Sequence, residues 1–220
     1  GMKTVDVDCS LGYQVNQRSE FIMQIQAAYH PWQRIVSESL ELMGIEPESF
    51  TDLSGMNRMF RFGVESGRVE IRYRATIEMC MPPRNTRAKE MDIAELPTEV
   101  LHYLLPSRYC ESDLLSAMAQ RTFGHLPRGF KRVEAICNWI KNNIVYEVGS
   151  SQPFTTARDV LANRAGVCRD FAHLGIAFCR ALIIPARFVF GRAEFPDPPP
   201  GFHAVFEAFL DGQWILFDAT

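Results

Sequence analysis

Arg164-Ala165-Gly166-Val167-Cys168-Arg169-Asp170-Phe171-Ala172 decides how this chain is read. A short helical segment ends ahead of it, Gly166 is able to supply a left-handed turn, and an apolar helix starts at or next to Cys168. Phe171, Leu174, Ile176, Phe178, Cys179, Leu182 and Ile183 nearly encircle that helix, so it belongs in the core of a domain. Pro185 stops it. A thiol at a helix N-terminus sits in a positive field, which favours thiolate over thiol.

Upstream, Thr156-Ala157-Arg158-Asp159 fits a capping box that opens the short helix, which runs through Asn163. Before it, Phe130, Val133, Ile136, Cys137, Ile140 and Ile144 recur at helical spacing and predict an amphipathic helix ending near Tyr146. Downstream, residues 187–192 read as a strand, 194–201 as a proline-stiffened loop that is either one rim of a cleft or a rigid connector, 203–210 as a strand and 213–218 as its return. Asp211-Gly212 between the last two is a two-residue hairpin turn.

That turn sets a register. Leu210 faces Gln213, Phe209 faces Trp214, and continuing outward Val205 faces Asp218. His203 shares a face with Val205, so His203 and Asp218 are diagonal neighbours about 7–8 Å apart at the backbone. Glu207 is on the same face but four residues along the strand, roughly 13 Å from His203. The register therefore selects Asp218 to orient His203. His173 is a poor base, because five residues of helix place it about 140° round from Cys168. His30, His102 and His125 lie outside this region and are expected in loops or at the surface.

The first 80 residues have a different period. Between Arg68 and Met79, apolar Val69, Ile71, Tyr73, Ala75, Ile77 and Met79 alternate with Arg68, Glu70, Arg72, Arg74, Thr76 and Glu78. A period of two with one charged face is an antiparallel strand with one wet side. Residues 5–9, 20–28 and 59–64 read as further strands, with Glu65-Ser66-Gly67 as a turn. Residues 1–82 are thus expected to be an antiparallel β-sandwich-like domain, 83–128 a linker or helical connection (a short helix at 112–119), and 129–220 a separate α+β core.

Composition excludes several classes. The 220 residues carry a net charge of −3, with no basic block to hold nucleic acid. No apolar run reaches the roughly 18 residues of a membrane span. The six cysteines lack C-x-x-C spacing, which argues against zinc and for reduced thiols in the cytoplasm. No metal site or cofactor is expected. Gly1 ahead of Met2 reads as an expression remnant.

The stretch Arg164 to Leu174 resembles the nucleophile motif of the bacterial transglutaminase-like superfamily. Ile184-Pro185-Ala186-Arg187-Phe188-Val189 resembles its helix-to-strand segment, and Phe202-His203-Ala204 with Trp214 to Thr220 its histidine and aspartate strands. The resemblance covers about Trp139 to Thr220, and the β-rich half resembles the N-terminal β domain that often precedes this core. It implies a papain-like α+β core in which Cys168 is the nucleophile, His203 the base and acid, and Asp218 the orienting carboxylate. The implied activity is acyl transfer through a thioester on a peptide or protein amide, with hydrolysis favoured over cross-linking. Two readings stand beside it: a catalytically silent module that binds a partner protein, and an arylamine-type acyltransferase. The chain departs from the family at Val205, where tryptophan is common, and at Phe190. It also ends two residues after Asp218, where bacterial relatives usually continue, and so reads as truncated.

Overall fold

A computed structural model describes residues 2–31, 33–80, 83–192 and 202–220. The chain divides into two compact units, Gly1–Pro83 and Arg84–Thr220.

The first unit is built from two antiparallel three-stranded sheets. One has the order β1-β6-β3, with β1 at Met2–Val15, β3 at Gln33–Glu41 and β6 at Gly67–Cys80. The other has the order β2-β5-β4, with β2 at Ser19–Met23, β4 at Glu48–Thr51 and β5 at Arg58–Val64. The alternation in β6 does what its period requires: Val69, Ile71, Tyr73, Ala75 and Ile77 are buried against Phe60 and Phe62 of β5. On the opposite face Arg72 pairs with Asp8, and Thr76 donates to Asp6. β1 is longer than the five residues expected, and β3 and β4 were not anticipated. A bulge between Ile35 and Ser37 breaks the alternation of β3.

One polar group is held between the sheets. Arg58 on β5 donates two hydrogen bonds, of 2.7 and 2.8 Å, to the Glu38 carboxylate on β3. The Tyr73 hydroxyl donates to the same carboxylate at 2.7 Å and accepts from the Ala27 N–H. Burial raises the Glu38 carboxyl, but the hydrogen bonds from Arg58 and Tyr73 outweigh it and the net shift is downward.

Among its described residues the second unit carries a three-stranded antiparallel sheet of order β11-β10-β9 and four α-helices. The helices are α1 at Ser112–Phe123, α2 at Phe130–Asn143, α3 at Ala157–Asn163 and α4 at Cys168–Ala181. The sheet strands are β9 at Ala186–Arg192, β10 at Phe202–Leu210 and β11 at Gln213–Phe217. A two-stranded parallel ribbon pairs β7, Val145–Tyr146, with β8, Ala165–Gly166. α4 is the central element, with Phe171, Leu174, Ile176, Phe178 and Cys179 buried. Gly175 lets it approach β10: a Cβ there would meet Cε1 of Phe206 at 2.5 Å.

Residues 84–128, expected as a connection, are part of this unit. The Phe130 N–H donates to the Ala88 carbonyl, and the Lys89 N–H and Asp211 N–H bond reciprocally across to the hairpin turn. Glu90, buried, takes hydrogen bonds from Gly129 N–H and the Arg132 guanidinium. The helix expected to reach Tyr146 stops at Asn143, which leaves Val145 and Tyr146 free to form β7. The nucleophile helix, expected to continue to Ile184, ends at Ala181, because Ile183 takes a left-handed conformation with φ of 64°. No described helix is long and apolar enough to cross a membrane.

Candidate active site

Cys168 is the first residue of α4 and is half-buried. The approach to it differs from the expectation in one respect. The left-handed residue that ends α3 is Arg164, with φ of 57°, and not Gly166. Gly166 lies in β8, where its missing Cβ matters for another reason: one built there would stand 2.8 Å from Cβ of Asp170. That close approach lets the Asp170 carboxylate accept from the Val167 N–H at 2.9 Å and from Ser151 Oγ at 3.0 Å. Val167 has no side-chain acceptor, so only the Asp170 half of a capping box is present. Asp170 is wholly buried, a carboxylate placed in the first turn where the helix dipole favours it. The Thr156–Asp159 capping box of α3 is complete.

A residue the sequence reading passed over completes the surroundings of the sulfur. Tyr146 on β7 lies beside Cys168, close enough for the phenol and the thiol to influence each other's charge. Burial first, and then the neighbouring sulfur, push the phenol pKa up, so Tyr146 keeps its proton at neutral pH. The available signal was Asn142-Asn143 ahead of Ile144-Val145-Tyr146: two poor helix formers followed by three strong strand formers. The apolar spacing that extends from Ile140 to Ile144 masked it.

The hairpin has the two-residue loop the sequence implied. Asp211 and Gly212 have φ of 49° and 75°, the two left-handed residues of a type I′ turn. Leu210 pairs with Gln213, Phe209 with Trp214 and Phe206 with Phe217. Asp218 follows directly, beyond the last assigned pair. Its Oδ1 accepts from the Thr220 N–H at 2.9 Å and from Thr220 Oγ1 at 2.6 Å, and buried Ala219 pins the segment. The backbone of His203 lies in β10 opposite Gly191 of β9. The 194–201 segment lies outside the described residues.

The residues set aside are accounted for. Glu207 is buried and ion-paired with Arg187 at 2.9 Å, with the guanidinium 4.0 Å from the centre of the Trp214 ring. His173 stacks on Tyr109, ring centres 5.2 Å apart and planes 3° from parallel, and its buried Nδ1 has no hydrogen-bond partner among the described residues. Burial, then Arg169 and Arg180, push its pKa down to about 4, so it is neutral at physiological pH. His102 and His125 are exposed; His30 lies in a loop but is buried.

With this geometry in place, the comparisons with known proteins identify the lineage. Residues 116–219 match the transglutaminase-like superfamily, and residues 2–99 match the N-terminal domain of bacterial transglutaminases. A crystal structure of a candidate cysteine protease from Cytophaga hutchinsonii is 38% identical, with a TM-score of 0.90, over 100% of this chain and 78% of that one. The chain belongs to the transglutaminase-like superfamily. An uncharacterised Mycobacterium leprae protein is 37% identical over 108 residues, which span 48% of this chain and 37% of that relative's length. The periplasmic domain of TgpA from Pseudomonas aeruginosa overlaps at 17% identity and a TM-score of 0.46, covering 94% of this chain and 74% of that one. Family membership and the Cytophaga neighbour support a cysteine-dependent enzyme of this superfamily.

Proposed function

We propose that the chain hydrolyses peptide or protein amides through a thioester on Cys168, with His203 as base and acid and Asp218 as the orienting carboxylate. The observation that carries this reading is the site of Cys168. Cys168 opens the first turn of α4, half-buried, beside a phenol that keeps its proton. Sγ attacks the carbonyl carbon, and the developing oxyanion meets the Cys168 N–H and, once the phenol turns its proton outward, Tyr146 Oη. His203 returns the thiol proton to the departing amine, leaving the acyl group on sulfur. A water deprotonated by His203 then attacks the thioester carbon, and the carboxylic acid leaves as the thiol re-forms. Tyr146 and Asp218 are both exposed, which leaves water access to the site and supports water over an amine as acceptor.

The test is intact-protein mass spectrometry after incubation with a library of glutamine-containing peptides. An acyl adduct on Cys168 and cleaved or deamidated products are expected, both lost in Cys168→Ala. Incorporation of an added primary amine in preference to water would assign cross-linking instead, and turnover that survives Cys168→Ala would remove the thioester altogether. We also propose a reducing, cytoplasmic setting, supported by the unbridged thiols of the buried Cys110, Cys137 and Cys179. Finding the native protein in an oxidising compartment of its source cells overturns that.

A further inference from the structure

We infer that the outer edge of β7 and the loop that follows it, 147–155, form the seat for the acyl donor: an extended peptide with large apolar side chains near the amide presented to Cys168. The inference rests on the hydrolase reading for what Cys168 does, and on independent geometry for what binds beside it.

β7 uses only one of its edges. The Val145 N–H donates to the Arg164 carbonyl and the Glu147 N–H to the Gly166 carbonyl, both towards β8. Successive residues of a strand turn their backbone groups to opposite edges, so the N–H and carbonyl of Tyr146 point away from β8. Among the described residues none hydrogen-bonds them there. This is a short length of open sheet edge, and its second residue, Tyr146, pairs with Gly166, two residues before the nucleophile.

The side chains along it are unusual for a surface. Val145 is 63% exposed, Tyr146 51%, Val148 83% and Phe154 66%, all within ten residues. Large apolar groups gathered next to a reactive centre mark a contact surface, whereas single ones need no explanation. The loop that carries them is also fixed in place. Arg169 donates to the carbonyls of Gln152, Pro153 and Thr155, the Gln152 N–H donates to Thr155 Oγ1, and Ser151 Oγ donates to Asp170. Two apolar side chains are thus held out towards solvent by a loop anchored on the nucleophile helix itself. A seat already ordered loses little conformational entropy when it is filled.

An open edge flanked by apolar side chains is recognised by an extended chain, whose main-chain groups pair with the edge and whose alternate side chains take the apolar contacts. A second copy of this protein is a poorer occupant, because β7 is only two residues long and offers little area to a folded surface. A chain lying on this edge runs alongside Tyr146, whose strand partner β8 leads into the first turn of α4.

The probe is a pair of fluorescein-labelled, end-blocked octapeptides read by anisotropy on the Cys168→Ala protein, which binds without turnover. One alternates Val, Leu and Phe with Gln; the other has Ser at every apolar position. We expect the apolar peptide to bind at least about tenfold more tightly. Val148→Asp and Phe154→Asp should each remove most of that preference, and N-methylation of one backbone amide in register should weaken binding about fivefold or more. Equal affinities, a flat N-methyl scan, or a preference untouched by both substitutions overturns the seat. So does dimerisation through this face that the apolar peptide does not disrupt. Iodoacetamide labelling of the unsubstituted protein separates the two readings. Fast labelling of Cys168 with flat peptide binding leaves the hydrolase and removes the seat. Apolar preference with Cys168 labelling no faster than Cys9 leaves a peptide-binding face and removes the hydrolase.

Discussion

The two units keep their buried polar groups for different purposes. In the first, Arg58, Glu38 and Tyr73 form a closed set between two sheets, their hydrogen bonds holding β3, β5, β6 and the Ala27 backbone in place. In the second, Asp170, Ser151 and Arg169 are just as well satisfied, but they hold a helix start and a loop around a thiol that stays half open. Satisfaction of polar groups is common to both, and what differs is whether the held element ends at solvent. A site is a rigid element with one reactive atom left uncovered.

The largest effect expected from breaking this contrast is chemical and confined to the second unit. Cys168→Ala should lower peptide-amide turnover by about a thousandfold or more with little change in thermal midpoint. The other thiols of the second unit are no substitute. Cys137 and Cys179 are buried, and burial pushes Cys110 up to about 11.

Next is an acid response that belongs to His173. Folded, it stays neutral until about pH 4; unfolded, it takes up a proton near 6.5. Between those values the unfolded chain binds more protons, so stability falls as pH drops and the loss is complete below about 4, at roughly 3 kcal/mol. Denaturant unfolding of the parent and of His173→Phe from pH 7 to 4.5 checks this: the parent should lose stability more steeply. Equal slopes would show that His173 takes its proton within the fold.

Breaking the closed set should cost somewhat less. Arg58→Ala strands the Glu38 carboxylate and is expected to destabilise by roughly 2–3 kcal/mol in chemical denaturation, while Cys168 alkylates at the parent rate. A change in that rate would mean the two polar groups are not independent. Gly175→Ala is smaller, about 1–3 kcal/mol, because the added methyl meets the buried Phe206 ring, but it should shift α4 and therefore slow alkylation as well. At the bottom lies Arg72→Ala on the wet face of β6, expected to leave the thermal midpoint where it was.

How far the sequence could be read followed from where local chemistry is decisive. Asp211-Gly212 admits one short turn, and its register came out pair by pair as far as Phe217. Cys168 begins α4 and the alternation of β6 sorts its faces, because both are strong periodic signals. Tyr146 was missed because a two-residue strand has no period to show, and Ile144 falls on the helical spacing of α2. Gly166 was assigned a conformation when what it supplies is space, since the neighbour that needs the space, Asp170, is four residues away and visible only once folded. β3 was lost to its bulge. The nearness of Tyr146 to the thiol is a tertiary fact that no spacing along the chain carries.

The pairing of Met2 with Cys80 has a consequence for how the protein is made. β1 is synthesised first, yet its partner β6 is not complete until residue 80, so the opening strand waits unpaired through most of the first unit. At about 5–20 residues per second that wait is roughly 4–16 s. An unpaired apolar strand invites stray pairing, and Asp6 and Asp8, set between Val5, Val7 and Cys9, place like charges where two such strands would meet. Once β6 arrives, Asp8 meets Arg72 and Asp6 meets Thr76. The charges that guard the nascent strand become the contacts that close the finished sheet.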